Sequence, residues 1–508
     1  MKTTTYINQT PFLDITPPVR IAILFFFFAY RIVFPVAAAL VSDGSKDLLA
    51  ARILAETVFT LLLAYPFIFH RPAYGWLHPL VLPTLFTLGK SLVKNPLHIF
   101  FPFEFPMVDF TVETSSPAAV LSIGAHDLAQ ARLGEALVRC ASMAVLLAAF
   151  LFGPRFRVPR IRVYKPSRLV PAAIASIGAL TLISVAFVVS QGGLTQLLIA
   201  MRGGRRELFA ESGHFLFAAD VASMIALIWF MYEKRPFRNP LFLAGFAGSC
   251  LLGILVTGSR SSLIVPVVML VLLWWKRSGR PLIVPTVSTA LVGILVLGIF
   301  GSIRQDFGST TLDVSVLNPS RYGEMVQRAL EETQKRGDEE PTIAVFQGAT
   351  EKGLLWGRTY VGTLAFWIPR AVWPDKPKPA DAYNMWVNFA NNPIDSEIPN
   401  YGYWGIPVSP HMEAFWNFHL AGTILIFFLL GTIYRYMADA VPIYAQVPIF
   451  WALYVFTLMQ FDGGSRTTVD VLRTLLVIII FGYLAGIFRS GQPAGSRPAI
   501  NAYRNQST

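Results

Sequence analysis

Arginine, lysine, histidine and glutamate gather in one polar stretch of an otherwise very apolar chain, residues 359–422, which opens TYVGTLAFWIPRAVWPDKPKP and closes VSPHMEAFWNFHLAG. Arg370, Lys376 and Lys378 are framed by Pro369, Pro374, Pro377 and Pro379. Each proline lacks a main-chain N–H and restrains the residue before it, so these cations sit on stiff, turning backbone and not on a helix. Rigidly presented cations suit an anion. Beyond them, His411 and Glu413 are the residue types for proton transfer. Histidine, with an unperturbed pKa of about 6.5, is the better base at neutral pH. Glu413 would need burial to raise its pKa, or would serve to orient a sugar or an arginine. The alternative for any one of these residues is an ordinary charge on a solvated connector.

Three further groups of cations belong to the same chemistry. In SRTTVDVLRTLL, Arg466, Asp470 and Arg473 fall at i, i+4 and i+7, a helical stripe covering about 10 Å at 1.5 Å per residue. Two arginines against one carboxylate leave the stripe positive, which fits either a structural network or an anionic ligand. VTGSRSS places Ser259 as a helix N-cap and Arg260 in the first turn after it, where free N–H groups favour an anion. An arginine snorkelling to lipid headgroups is the other reading of Arg260. The segment MRGGRRELF adds Arg202, Arg205 and Arg206. The planar guanidinium meets phosphate oxygens in pairs and stays charged, which makes arginine the apt residue for such a ligand.

The elements that must position these side chains follow from composition. Of 508 residues 54% are hydrophobic and 14% charged, and mean hydropathy is +0.53. Apolar blocks recur at the length a helix needs to cross hydrocarbon. They predict an all-α polytopic membrane protein with about 12 transmembrane helices, near residues 20–41, 51–70, 76–93, 131–152, 169–190, 213–232, 239–257, 260–275, 282–302, 412–433, 441–460 and 468–488. The chain divides into a bundle of about nine spans at 1–302, a large polar loop at 303–408, and a bundle of about three spans with a tail at 409–508. Within the loop, PSRYGEMVQRALEETQKR reads as an amphipathic helix.

Loop charge orients the bundle. Residues 153–168, GPRFRVPRIRVYKPSR, carry six cations and no acid, and residues 233–240 and 276–280 are also basic, which puts all three in the cytoplasm. Twelve spans with both termini cytoplasmic satisfy them and place the 303–408 loop outside. The net charge of +12 is thus largely topological; its cations are scattered over short loops, which argues for contact with the bilayer and against nucleic acid. The first apolar block lacks a cleavage site and reads as a retained span. Within the spans, Arg52 with Glu56 and Glu135 with Arg139 are spaced to pair at i, i+4, while Arg31 and Asp220 have no partner in their own helices and must face the interior.

The run WGRTYVGTLAFWIPRAVWPDKPKP, followed by SPHMEAFWNFHLAG and preceded by TGSRSS, resembles the oligosaccharide repeat-unit polymerases of the Wzy type that build O-antigens and exopolysaccharides. The resemblance extends to many spans, a basic cytoplasmic face and one large periplasmic loop, an architecture resembling GT-C-like lipid-linked glycosyltransferases. Its motif positions fall on Arg260, Arg370, Lys376 and Glu413. For the chemistry it implies, Arg466 and Arg473, with Arg202 and Arg206, are further candidates to bind diphosphate or glycan, and His411 and Glu413 are the candidate catalytic residues. His419 departs from it, since glycine is common there. The implied reaction moves a glycan from undecaprenyl diphosphate onto a second lipid-linked repeat unit at the outer face of a bacterial inner membrane. Cations can stabilise the leaving diphosphate, so the chemistry requires neither metal nor other cofactor. A chain-length regulator and a flippase are the implied protein partners. An O-antigen ligase, a transporter of a polyprenyl-linked glycan and a non-catalytic assembly subunit are the alternatives.

Overall fold

Apolar blocks in lipid must satisfy their own main-chain hydrogen bonds, which favours helices. The computed structural model describes residues 12–69, 71, 74–94, 97–104, 106–108, 110, 125–190, 192–193, 213–257, 261–289, 345–346, 349, 353–368, 372–377 and 408–488. Among them there is no strand, and seven helices are long and apolar enough to cross a membrane. These are α1 (Pro17–Val41), α2 (Leu49–Ile68), the apolar part of α4 (Ala125–Phe152), α5 (Leu169–Ser190), α7 (Pro240–Thr257), α10 (Pro410–Tyr444) and α12 (Ser465–Leu484). The architecture is that of an all-helical polytopic membrane protein.

Other helices of the described fold include α3 (Leu82–Lys94), α6 (Gly213–Tyr232), α8 (Ser261–Ser278), α9 (Arg358–Leu364) and α11 (Pro448–Gln460). Helix α6 is apolar on almost every face and occupies the centre, against α5, α7, α8, α11 and α12. Every residue from 218 to 230 is buried except Asp220. Trp229, Phe230, Trp451 and Tyr454 fill the space between α6 and its neighbours. Helix α4 packs along α2 on one side and α10 on the other.

Two expected spans differ. In place of residues 76–93, Tyr74 to Val81 form turns that pair with the N-terminal segment, Trp76 and Leu77 donating to the carbonyls of Leu13 and Phe12 at 2.9 and 3.0 Å. Helix α3 then has 13 residues, about 20 Å, short of the roughly 30 Å hydrocarbon core. The interrupting Pro79 and Pro83 explain the late start, since neither can donate to a preceding turn. In place of 441–460, α10 continues to Tyr444 and α11 has 13 residues. The expected span at 282–302 passes outside the described residues after 289, and the loop helix at 319–336 lies outside them altogether.

The three basic loops meet at one end of the bundle. Residues 153–168 run extended across it, with Tyr164 donating to the Ile487 carbonyl at 3.0 Å just past α12 and Ile161 donating to the Tyr444 hydroxyl at 2.7 Å. Tyr444 stacks on Phe450 at the start of α11, and Lys276 lies 4.0 Å over the Trp451 ring. Beside it, Arg277 donates to the Lys234 carbonyl at 3.4 Å, bringing in the third loop. The N-terminal ends of α6, α8, α10 and α12 and the C-terminal end of α7 lie at the opposite end, where the candidate site is built.

Candidate functional site

Helix α10 starts with Ser409 and Pro410 and runs regularly for two turns before Phe418 (φ −144°, ψ 25°) and His419 (φ 56°, ψ −149°) break it. The His419 dihedrals fall in a region that glycine alone occupies at low cost. The sequence position where the resemblance implied glycine is therefore the one where the backbone most requires it. A neighbouring segment takes up the freed carbonyls: Leu355 and Trp356 donate to Trp416 and Asn417 at 2.9 and 3.0 Å. Gly357 (φ 81°) follows, and a Cβ there would stand 2.6 Å from the Phe418 ring. The Asn417 amide donates to Thr359 Oγ1 at 2.9 Å and to the Glu413 carbonyl at 2.8 Å.

From that junction α9 leads to the N-terminus of α12. Thr363 Oγ1 donates to the Ser465 carbonyl at 3.0 Å, and Glu413 Oε2 accepts the Ser465 N–H at 3.0 Å. Asp462 Oδ1 accepts from the Gly464 N–H at 3.0 Å and from Thr467 Oγ1 at 2.5 Å. Two carboxylates thus terminate the positive end of α12, where free N–H groups and the helix dipole stabilise negative charge. Tyr360 sits beside both, and burial followed by the charges of Glu413 and Asp462 pushes its phenol well above the usual tyrosine value. The Tyr360 hydroxyl, Trp416 Nε1, Asn417 Oδ1 and Ser465 Oγ are buried with no hydrogen-bond partner among the described residues. Such groups are few in folded proteins, and their concentration around Glu413 makes it a candidate site.

In the first two turns of α12, Arg466 and Asp470 are solvent-accessible. Asp220, the single exposed residue of the buried run in α6, hydrogen-bonds Ser262 of α8 and lies within electrostatic reach of Arg466 and Asp470. Ser262 in turn bonds Thr257 of α7 at 2.8 Å. The Arg473 guanidinium lies 6.0 Å from the Phe217 ring of α6 and 5.8 Å from the Phe366 ring just after α9. The result is an accessible face bearing Arg466, Asp470, Arg473 and Asp220, walled by aromatic rings from α6 and from the polar loop. Asp220 adds a second carboxylate to the stripe, so the face carries two cations and two acids.

The other expected residues fall elsewhere. Lys376 Nζ donates to the carbonyls of Ala365 and Ile368 at 3.2 and 3.1 Å, so it closes the C-terminal end of α9. The proline-framed segment crosses α9 there, with the Pro377 carbonyl 2.7 Å from where a Gly362 Cβ would be. His411 faces away from α12: its Nε2 is 2.7 Å from Glu135 Oε1 and 3.3 Å from Ser409 Oγ. Glu135 lies 3.8 Å from Arg139, Arg139 donates to Glu56 at 2.7 Å, and Glu56 also pairs with Arg31. The carboxylate oxygens of Glu56 thus accept from Arg31 of α1 and Arg139 of α4, two cations outside its own helix. Glu56 is 2% exposed, and removing one member of so buried a network costs about 3–5 kcal/mol. Arg31 reaches it from a widened π-helical turn, Ala29–Val33, ahead of Pro35, whose missing N–H interrupts the ladder.

Arg202, Arg206, Arg260 and Arg370 lie outside the described residues. Tyr360, Asp462, Phe217 and Phe366 were absent from the sequence candidates; a tyrosine or phenylalanine in an apolar chain gives no signal of its own. Asp220 did give one, as a carboxylate with no partner in its helix. No protein-family model matches the chain, and no curated protein or solved structure matches it.

Proposed function

We propose that this protein is a membrane glycosyltransferase of the polymerase type, moving a glycan from undecaprenyl diphosphate onto a second lipid-linked oligosaccharide repeat unit. The observation that carries the reading is the accessible arginine face of α12, opened beside Asp220 and walled by Phe217 and Phe366, at the end of the bundle opposite the basic loops. In the reaction the bond between the sugar anomeric carbon and the diphosphate oxygen breaks, and the anomeric carbon bonds to the acceptor hydroxyl oxygen. The hydroxyl proton passes to a base and undecaprenyl diphosphate departs as an anion.

Arg466 and Arg473 hold that anion, with Arg260 and Arg370 as further diphosphate ligands and Arg202 and Arg206 toward the glycan. Glu413 positions Arg466 by fixing the first turn of α12. His411 is the proposed base; its ring turns to Glu135 on the α4 side of α10, so the acceptor hydroxyl reaches it there, and with Nε2–H donated to Glu135 its Nδ1 keeps a lone pair for the proton. Cations stabilise the leaving group and the chemistry calls for no metal. The chain makes 12 crossings in an architecture of the GT-C kind, the basic loops and both termini are cytoplasmic, and the arginine face opens to the periplasm of a bacterial inner membrane.

A second reading, transport of the same lipid-linked glycan, is favoured by the break in α10 at Phe418 and His419, because interrupted helices line many transport sites. One experiment separates the two. Purified protein in liposomes is given an undecaprenyl-diphosphate-linked repeat unit, with no nucleotide sugar and no ATP, and products are resolved by length. A ladder of longer chains is expected; movement of the unit across the bilayer without lengthening selects transport.

A further inference from the structure

The basic segment 153–168 does more than orient the bundle. We infer that it forms, with the C-terminal end of α10, a specific site for an anionic phospholipid headgroup. A cleft of about 1090 Å³ opens there, lined among others by Arg155, Arg157, Arg160, Phe156, Asp439 and Ile443. Three arginines face one aspartate, so the cleft is positive by two charges. The three arginines are exposed, and none has an ion-pair or hydrogen-bond partner among the described residues.

The cleft is built, since the segment that carries its arginines is tied down along its length. Arg435 Nη1 donates to the Gly153 carbonyl at 2.8 Å. The Tyr444 hydroxyl donates to the Pro159 carbonyl and accepts from the Ile161 N–H at 2.7 Å. Tyr164 and Arg168 donate to the carbonyls of Ile487 and Ala485 at 3.0 and 3.3 Å. Pro154, Pro159 and Pro166 keep the stretch extended between these ties. Pinning the backbone removes the ordering cost that a mobile basic loop would bear on binding.

The neighbours of the arginines choose a lipid over a soluble phosphate. Phe152 is 84% exposed, Phe156 56% and Ile443 39%, and they flank the cations at the ends of two membrane-spanning helices. A headgroup phosphate on the arginines would leave its acyl chains against these side chains, as basic pockets between spanning helices hold anionic lipids.

The full-length protein, exchanged into nanodiscs of zwitterionic lipid, is titrated with phosphatidylglycerol, phosphatidylcholine and inorganic phosphate, and bound molecules are counted by native mass spectrometry. Phosphatidylglycerol is expected to saturate one site per chain. Each arginine should contribute about fivefold, so Arg155→Gln/Arg157→Gln/Arg160→Gln should weaken binding roughly a hundredfold. Lys234→Gln/Arg235→Gln/Arg238→Gln removes as much charge from the same end and should leave that site intact. Tyr444→Phe removes no charge but breaks the two hydrogen bonds that pin Pro159 and Ile161, and should weaken binding roughly tenfold. Should the arginine triple variant fail to give monodisperse protein, Arg157→Gln and Tyr444→Phe decide. Equal loss in both triple variants, or no effect of Tyr444→Phe, overturns the site in favour of diffuse attraction. Inorganic phosphate binding as tightly as the lipid overturns the lipid assignment.

Discussion

Glu413 Oε2 accepts the main-chain N–H of Ser465 at 3.0 Å, so a carboxylate on the first half of α10 terminates α12 one residue before Arg466. Glu413 is 3% exposed, and a charge-assisted bond of this kind is worth about 1.5–3 kcal/mol. Glu413→Ala should lower thermal stability in detergent by that amount and abolish chain growth. Glu413→Gln keeps an acceptor oxygen for Ser465 and should recover roughly half of the stability. Equal unfolding temperatures for the two variants would show that the contact to Ser465 contributes nothing.

Beside that contact, the Tyr360 hydroxyl is buried without a partner among the described residues, a cost of about 1–3 kcal/mol in the folded state. Tyr360→Phe deletes the hydroxyl and keeps the ring. If the group serves the substrate, the variant should be more stable than wild type by about 1 kcal/mol and yet slower in chain growth. Gain of stability with unchanged activity would assign Tyr360 to packing alone.

The backbone at His419 gives a test of the break in α10. Its φ of 56° with ψ of −149° costs a non-glycine residue about 1–3 kcal/mol, whereas its ring lies 4.3 Å from that of Phe415 and repays part of it. His419→Gly should therefore unfold at or above the wild-type temperature. His419→Ala keeps the strain and loses the ring, so it should unfold lowest of the three. The reverse order of glycine and alanine would mean that the helix does not break there.

What could be read beforehand, and what could not, divides along physical lines. Runs of twenty apolar residues specify helices by length alone, and the positions of α1, α2, α5 and α7 follow. Pro79 and Pro83 were visible, but their effect depended on docking of Phe12 and Leu13 onto the turn they create, a contact with no local pattern. The arginine stripe of α12 follows from helical periodicity. Partners on other helices do not: Glu56 binds Arg31 and Arg139, because a buried carboxylate is satisfied by whichever cations the bundle brings near it. His411 and Glu413 are two residues apart, which on a helix turns them to different neighbours, Glu135 of α4 and Ser465 of α12.

Orientation is tested by labelling. Cysteines placed at Ser115 and Ser396 should react in intact cells with a membrane-impermeant thiol reagent. Ile161→Cys, 57% exposed within the basic segment, should react only after the membrane is opened. Reaction of Ile161→Cys in intact cells inverts the topology and puts the arginine face of α12 on the cytoplasmic side.

The last expectation separates charge from geometry at Arg473, whose guanidinium is held between Phe217 of α6 and Phe366 of the loop. A guanidinium gripping diphosphate donates two parallel bonds, whereas an ammonium offers a point charge on a flexible stem. Arg473→Lys should then cut chain growth roughly ten- to a hundredfold, the worth of one charge-assisted bond, with normal insertion and accumulation. Arg473→Ala should fall further, and Arg238→Lys, at the basic end, should polymerise as wild type. The measurement is product length and amount per unit of membrane-inserted protein, because a folding defect would otherwise imitate a lost ligand contact. Full activity in Arg473→Lys with none in Arg473→Ala would mean that charge alone suffices at this position. Full activity in both would mean that the α12 stripe holds the bundle together and takes no part in binding the diphosphate.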